Sequence, residues 1–135
     1  MARVGGVTFP KALAQFEARA YDNGADDRAG TPDDIDLGVV DATWSIEEFA
    51  ATYDDDDVKF VGEIDKATGR FTPNIEGPNP ARRGERNNIG DVYAVATYTP
   101  EPVDGKPATP LRARGHLLVT VPLYMRWEAP GGTQN

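Results

Sequence analysis

The stretch NGADDRAGTPDDIDLG, residues 23–38, gathers side chains suited to holding a hard cation. Calcium takes about six to eight oxygen ligands, mostly carboxylates, amides and carbonyls. Asp22, Asn23, Asp26, Asp27, Asp33, Asp34 and Asp36 supply such oxygens. Of these, Asp22, Asn23, Asp26, Asp33, Asp34 and Asp36 form the candidate calcium set. Their spacing departs from D-x-[DN]-x-[DN]-G-x5-E, and no Glu closes the loop. The same residue types also build turns. In that reading Asp33 or Asp34 accepts backbone N–H bonds, and the stretch merely connects two strands. The turn reading is the simpler one.

The remaining reactive residues form no known catalytic set. DDDD at 54–57 reads as a solvated acidic loop, because contiguous aspartates converge on one ion only if the chain folds back. His116 is the only histidine and falls on the polar side of an alternating run. A general base needs an orienting partner and a cleft, so His116 reads as a surface or interface residue. Neither a phosphate loop, nor a dinucleotide fingerprint, nor a nucleophile motif is present. Acidic pairs are abundant without one standing out, which leaves a two-carboxylate hydrolase as background only. Arg82, Arg83 and Arg86 cluster in a Pro/Gly/Asn-rich loop without interleaved aromatics. With His116, Tyr124, Met125 and Trp127 they form the candidate protein-contact set, the last three as an exposed docking patch or the end of a core.

Bulk properties narrow the classes. Lys and Arg number 14 against 22 Asp and Glu, for a formal charge of −8. A chain this acidic is repelled by nucleic acid and by anionic membranes. The lack of cysteine removes disulfides, thiolate metal sites and covalent haem attachment. No apolar run approaches the roughly 20 residues of a membrane helix. The opening MARVGGVTFPKALAQF shows no continuous apolar signal region. At 135 residues one domain is expected, with a core over roughly 9–127 and a flexible tail at 128–135.

The elements that must position these residues read as strands. Gly and Pro punctuate the chain at short intervals, and period-two alternation recurs between them. VVDATWSIE sets Val40, Ala42, Trp44 and Ile46 on one face. VKFVGEID does the same with Val58, Phe60, Gly62 and Ile64. DVYAVATY is β-rich. In the run from Leu111, small or apolar residues at 113, 115, 117, 119 and 121 alternate with Arg112, Arg114, His116 and Thr120. LAQFEARAYDN gives one further strand, and 47–57 reads as a loop with at most a helical turn. Asp65 to Gly69 closes a tight turn, with Gly69 free to adopt positive φ, and Pro73 confines its strand to an edge or an end. TPEPVDGKPATP, 99–110, is a hairpin connection. About seven short strands with a central Trp predict an all-β, immunoglobulin-like β-sandwich held by packing alone, with Trp44, Phe60 and Val119 between its sheets.

Four segments in order carry a family resemblance: FPKALAQFEARAYDNGADDRAGTPDDIDLGVVDATWSI, DDDDVKFVGEIDKATGRFTP, GPNPARRGERNNIGDVYAVATY and RGHLLVTV. Together they resemble the C-terminal immunoglobulin-like domain of the α subunit of quinohemoprotein amine dehydrogenase, over roughly 9–127. The resemblance implies a sandwich that scaffolds or docks redox partners, cytochrome or quinoprotein subunits, in a periplasmic or extracellular assembly. In that family the haems and the cross-linked quinone lie in other domains and subunits. This cysteine-free chain can carry neither, so no catalytic residue transfers to it, and no enzyme activity or cofactor of its own is expected, calcium apart. The alternative is a calcium-stiffened extracellular adhesive or glycan-binding module.

Overall fold

The structure is a computed structural model and describes residues 1–6, 9–50, 55–102 and 104–122. Nine strands and one short helix follow in chain order among these residues: β1 (Ala2–Arg3), β2 (Ala14–Gln15), β3 (Ala18–Asp22), β4 (Ile35–Val40), β5 (Thr43–Glu48), α1 (Asp57–Phe60), β6 (Gly62–Ile64), β7 (Arg70–Pro73), β8 (Gly90–Tyr98) and β9 (Leu111–Thr120). One sheet has the order β1-β9-β8-β5 and a second the order β2-β7-β6, while β3 and β4 form a separate hairpin. The two sheets are the layers of an all-β, immunoglobulin-like sandwich, with Trp44 buried on the strand where such domains keep a core Trp. The hairpin is inserted before that strand and carries the Asp-rich loop at its tip.

The core has two parts. Ala2, Val4, Val61, Phe71, Val92, Leu117 and Val119 are almost fully buried in one cluster. Ala42, Trp44 and Ala96 form the other, and Phe16 and Ile64 pack against both. The Phe16 and Trp44 rings lie 6.0 Å apart. The core therefore reaches back to Ala2, ahead of residue 9. Its first strand is two residues long and runs parallel to β9, with Ala2 opposite Val119. A partner more than a hundred residues away leaves no local pattern to read.

Two expected strands are rearranged. LAQFEARAYDN splits into β2 and β3, which belong to different sheets. The Phe16 N–H continues the β2–β7 register onto the Gly69 carbonyl at 3.1 Å, and from Ala18 the chain pairs with β4 instead. VKFVGEID begins as helix rather than strand. Val61 N–H closes on the Asp57 carbonyl at 2.9 Å, and this turn shifts the phase of the chain. Val61 is then the fully buried residue, and Phe60 is only half-buried beneath Arg82. Glu47 and Glu48, read as loop, extend β5.

The turn at 65–69 forms as its residues dictate. Asp65 Oδ1 accepts the N–H groups of Ala67 at 2.8 Å and Thr68 at 2.9 Å. These backbone bonds, that from Thr68 foremost, hold the Asp65 carboxyl below its usual range. Gly69 has φ of 73°, and a Cβ there would lie 2.7 Å from the Trp44 ring. Pro73 ends β7, where its missing N–H does no harm. In the β8–β9 connection Asp104 and Gly105 both have positive φ, as Asp-Gly turns favour. Gly69→Ala is expected to destabilise the domain by about 2 kcal/mol or more in urea unfolding, from left-handed strain plus the clash with Trp44.

Candidate functional site

The best-organised polar site is built on Arg82, which sequence reasoning places at a partner surface. The structure buries it: its side chain is 1 % exposed. One terminal nitrogen donates to the carbonyls of Asn87 at 2.8 Å and Ile89 at 2.9 Å. The other donates to Asp56 Oδ1 and Asp57 Oδ1, both at 2.7 Å. The guanidinium also lies 5.4 Å from the centre of the Phe60 ring. Arg82 is therefore unavailable to a partner. A planar fork is the one side chain that satisfies four acceptors in two directions.

The aspartates complete the node. Asp57 Oδ2 accepts the Asp91 N–H at 3.0 Å, tying α1 to the start of β8. Gly90 leaves the space for this, since a Cβ there would fall 2.1 Å from Asp57 Oδ2. Arg86, on the exposed side, reaches Asp56 at 3.0 Å, and Arg83 is exposed beside it. Asp55, Asp56 and Asp57 each place an oxygen within 4.8 Å of the others. The charges of Asp56 and Asp57 are met by Arg82, and Arg86 also reaches Asp56. The hydrogen bond from Arg82 holds the Asp56 carboxyl below its ordinary range. For Arg82 itself, burial alone would lower the pKa, but the bonds to Asp56 and Asp57 more than offset it, and the net shift is upward. Glu48 shows the opposite effect among the acids. Burial raises its carboxyl, and the neighbouring Asp55 and Asp57 add to the rise against the Val58 N–H bond.

The Asp-rich loop uses its carboxylates on its own backbone. Asp22 accepts from Gly24 N–H at 2.8 Å, Asp26 from Arg28 at 2.9 Å, Asp34 from Gly30 at 2.8 Å and Asp36 from Gly38 at 2.8 Å. Asp33 accepts the Thr31 hydroxyl at 2.6 Å and the Asp26 N–H at 3.0 Å, which lowers its pKa. Asn23 precedes a 3₁₀ turn without capping it through its side chain. Asp36 pairs with Arg19 at 3.0 Å. No three of the loop's carboxylates gather at one point among the described residues.

The outer face of the larger sheet holds the other ordered group. Glu47, Tyr93 and His116 lie in register across β5, β8 and β9. His116, 46 % exposed, has Nε2 2.5 Å from Asp91 Oδ1, and its ring centre is 4.3 Å from that of Phe49. Phe49 also packs on Tyr93, and Arg114 covers the other part of that ring at 4.3 Å. Arg112 pairs with Glu47. Tyr124, Met125 and Trp127 lie outside the described residues. Sequence reasoning missed the Arg82 node and the Phe49–Tyr93 contact. The available signal for the former was an acidic run and an Arg-rich loop about 25 residues apart.

Together these features define an immunoglobulin-like sandwich domain whose charged groups are engaged in holding turns, loops and sheet faces. The family model for quinohemoprotein amine dehydrogenase, alpha subunit domain IV, matches residues 1–131, and the chain belongs to that family. The family is thus a domain within a subunit of an enzyme assembly. A comparison with curated proteins gives no match.

Arg82→Met strands two carboxylates and is expected to lose about 3–5 kcal/mol of unfolding free energy. Arg82→Lys should recover only part, because an ammonium cannot span the four acceptors. The Asp56 contribution has a defined sign. Its folded pKa is depressed, so this stability is present above its unfolded value near 3.8 and is lost as pH falls through the folded value. For Glu48 the folded pKa is raised. Its contribution is present below 4.5 and lost as pH rises through the folded value. Glu48→Gln should therefore be more stable than the parent at pH 7, and the difference should shrink toward pH 4 in parallel chemical denaturation.

Proposed function

We propose that this domain is a noncatalytic scaffold or docking module that packs against redox subunits, cytochrome or quinoprotein, of a periplasmic or extracellular assembly. The observation that carries the reading is the family match over residues 1–131, to a domain that forms one part of an enzyme subunit. The chemistry of the chain supports it. The perturbed carboxyls at Asp33, Asp56 and Asp65 owe their shifts to bonds that build the fold, and a cysteine-free chain offers no thiolate for haem or quinone attachment. Among the described residues no helix is long and apolar enough to cross a membrane. The surface patch of Phe49, Arg114 and His116 around the half-buried Tyr93 has the aromatic and Arg content typical of protein contacts. The carboxylates of residues 22–36 serve turns, which favours this reading over a calcium-stiffened adhesive or glycan-binding module.

Affinity-tagged chain recovered from its native source should bring down a haem- or quinone-bearing polypeptide in stoichiometric amount, visible by absorbance and mass spectrometry. Recovery of a monomer with no such polypeptide would remove the proposal.

A further inference from the structure

Among the described residues β9 has one edge that is mostly unpaired. β8 pairs with it along its whole length, from Leu111 to Val119. On its other side β1 pairs only at Val119 and Thr120. Among the described residues nothing pairs with this side from Leu111 to Leu117, and residues 111–116 are all exposed.

The direction of the free groups follows from alternation along a strand. Val4 N–H donates to the Thr120 carbonyl, so the main-chain groups of Thr120 face the β1 side. Those of Arg112, Arg114, His116 and Leu118 then face the same way. Trp44 N–H donates away from β8, to Lys66, so the odd residues of β5 bond β8. Carried through the registers, this leaves the odd residues of β9 to bond β8 and the even ones to face outward. The edge thus offers four N–H groups, of Arg112, Arg114, His116 and Leu118, and three carbonyls, of Arg112, Arg114 and His116, since the parallel register of Ala2 on Val119 gives the Leu118 carbonyl to Ala2. Unpaired edges of this kind are templates for strand addition.

The side chains beside the edge differ on its two faces. One face carries Arg112, which also reaches Glu47, Arg114, which lies over the Tyr93 ring, and His116, which contacts Asp91. The other carries Ala113 and Gly115, which floor a groove of about 230 Å³ walled by Phe16 and Trp44. An added strand would place alternate residues on the two faces, apolar ones over Ala113 and Gly115 and acidic ones beside the arginines.

We propose that the edge of β9 from Arg112 to Leu118 binds an extended strand of another polypeptide whose residues alternate apolar and acidic. The site continues an interface that the fold already uses, since β1 is seated at its end. A second copy of this chain is a poor occupant. Two β9 edges meeting about a two-fold axis would oppose Arg114 to its own kind or to Arg112 and His116, and both copies carry −8. The inference rests on the docking reading above and gives it a surface and a partner chemistry.

Amide hydrogen exchange followed by NMR tests it, with an eight-residue synthetic peptide of alternating Val and Glu as probe. The amides of Arg112, Arg114, His116 and Leu118 should slow by at least about tenfold with this peptide and little with an alternating Val/Lys peptide. Arg114→Pro removes one outward N–H without touching the β8 ladder and should abolish the protection. Arg114→Glu preserves the backbone and should shift preference to the Val/Lys peptide. Unchanged exchange with every peptide at millimolar concentration would overturn the proposal. So would protection that grows with protein concentration in the absence of peptide, which would assign the edge to a second copy. Undiminished capture of the redox polypeptide by both Arg114 variants would overturn the edge while leaving the docking function standing.

Discussion

One guanidinium holds three parts of this domain together. Arg82 joins the loop that carries it to the helical turn at Asp56 and Asp57, and Asp57 joins that turn to the Asp91 N–H near the start of β8. A buried cation without its carboxylates would be costly, and so would the carboxylates without it. The three segments therefore order together or not at all. This coupling fixes where β8 begins, and the register of β8 sets the register of both β5 and β9. In a sandwich without a disulfide between its sheets, such a node supplies orientation, while the apolar clusters supply most of the free energy. The node is at the edge of the core rather than inside it. Asp56 and Arg86 still meet water, so the desolvation penalty falls mainly on Arg82.

What the sequence revealed depended on how local each cause was. β5, β8 and β9 were legible because each alternates over six or more residues, and the turn at 65–69 because Asp65 and Gly69 carry its chemistry within five residues. The hairpin connection at 99–110 was legible for the same reason. VKFVGEID misled in part, because a helical turn precedes Val61 and puts that residue fully inside, while Val58 and Ile64 still pack against the core and Phe60 is only half-buried. β1 was invisible: two residues have no period, and their partner lies at the other end of the chain. Arg82 was noticed as one of a basic cluster and assigned to the surface, since nothing within the loop shows that one arginine of three turns inward. That choice is made by acids about 25 residues earlier and by the carbonyls of Asn87 and Ile89.

The acidic composition has a similar explanation. Read as a string, aspartates at 22–36 suggest a cation. In the folded chain Asp22, Asp26, Asp34 and Asp36 each accept a backbone N–H two to four residues away, as turn-building aspartates do. The loop bends sharply enough to put Asp27 at positive φ, and a carboxylate that captures a nearby N–H relieves the unpaired backbone that such bends create. The charge is a by-product of turn formation on a solvated hairpin. At 54–57 the same residue type does different work, because arginines from another loop reach it.

The sheet faces then divide the labour within the sandwich. The inner face of the larger sheet changes from Val92, Leu117 and Val119, through Ala94 and Ala96, which are still buried, to Ala113 and Gly115, which are exposed. Large side chains are placed where the second layer exists, and small ones where the layer stops. Small residues leave little apolar surface to be wetted, so an incompletely covered sheet can persist without the cost that Leu or Val would impose. The same choice lowers the steric barrier to anything approaching the edge of β9, while Arg112 and Arg114 set a charge condition on the approach. Coverage by the short β2-β7-β6 sheet is thus the feature from which both the composition of the inner face and the selectivity of the open edge follow.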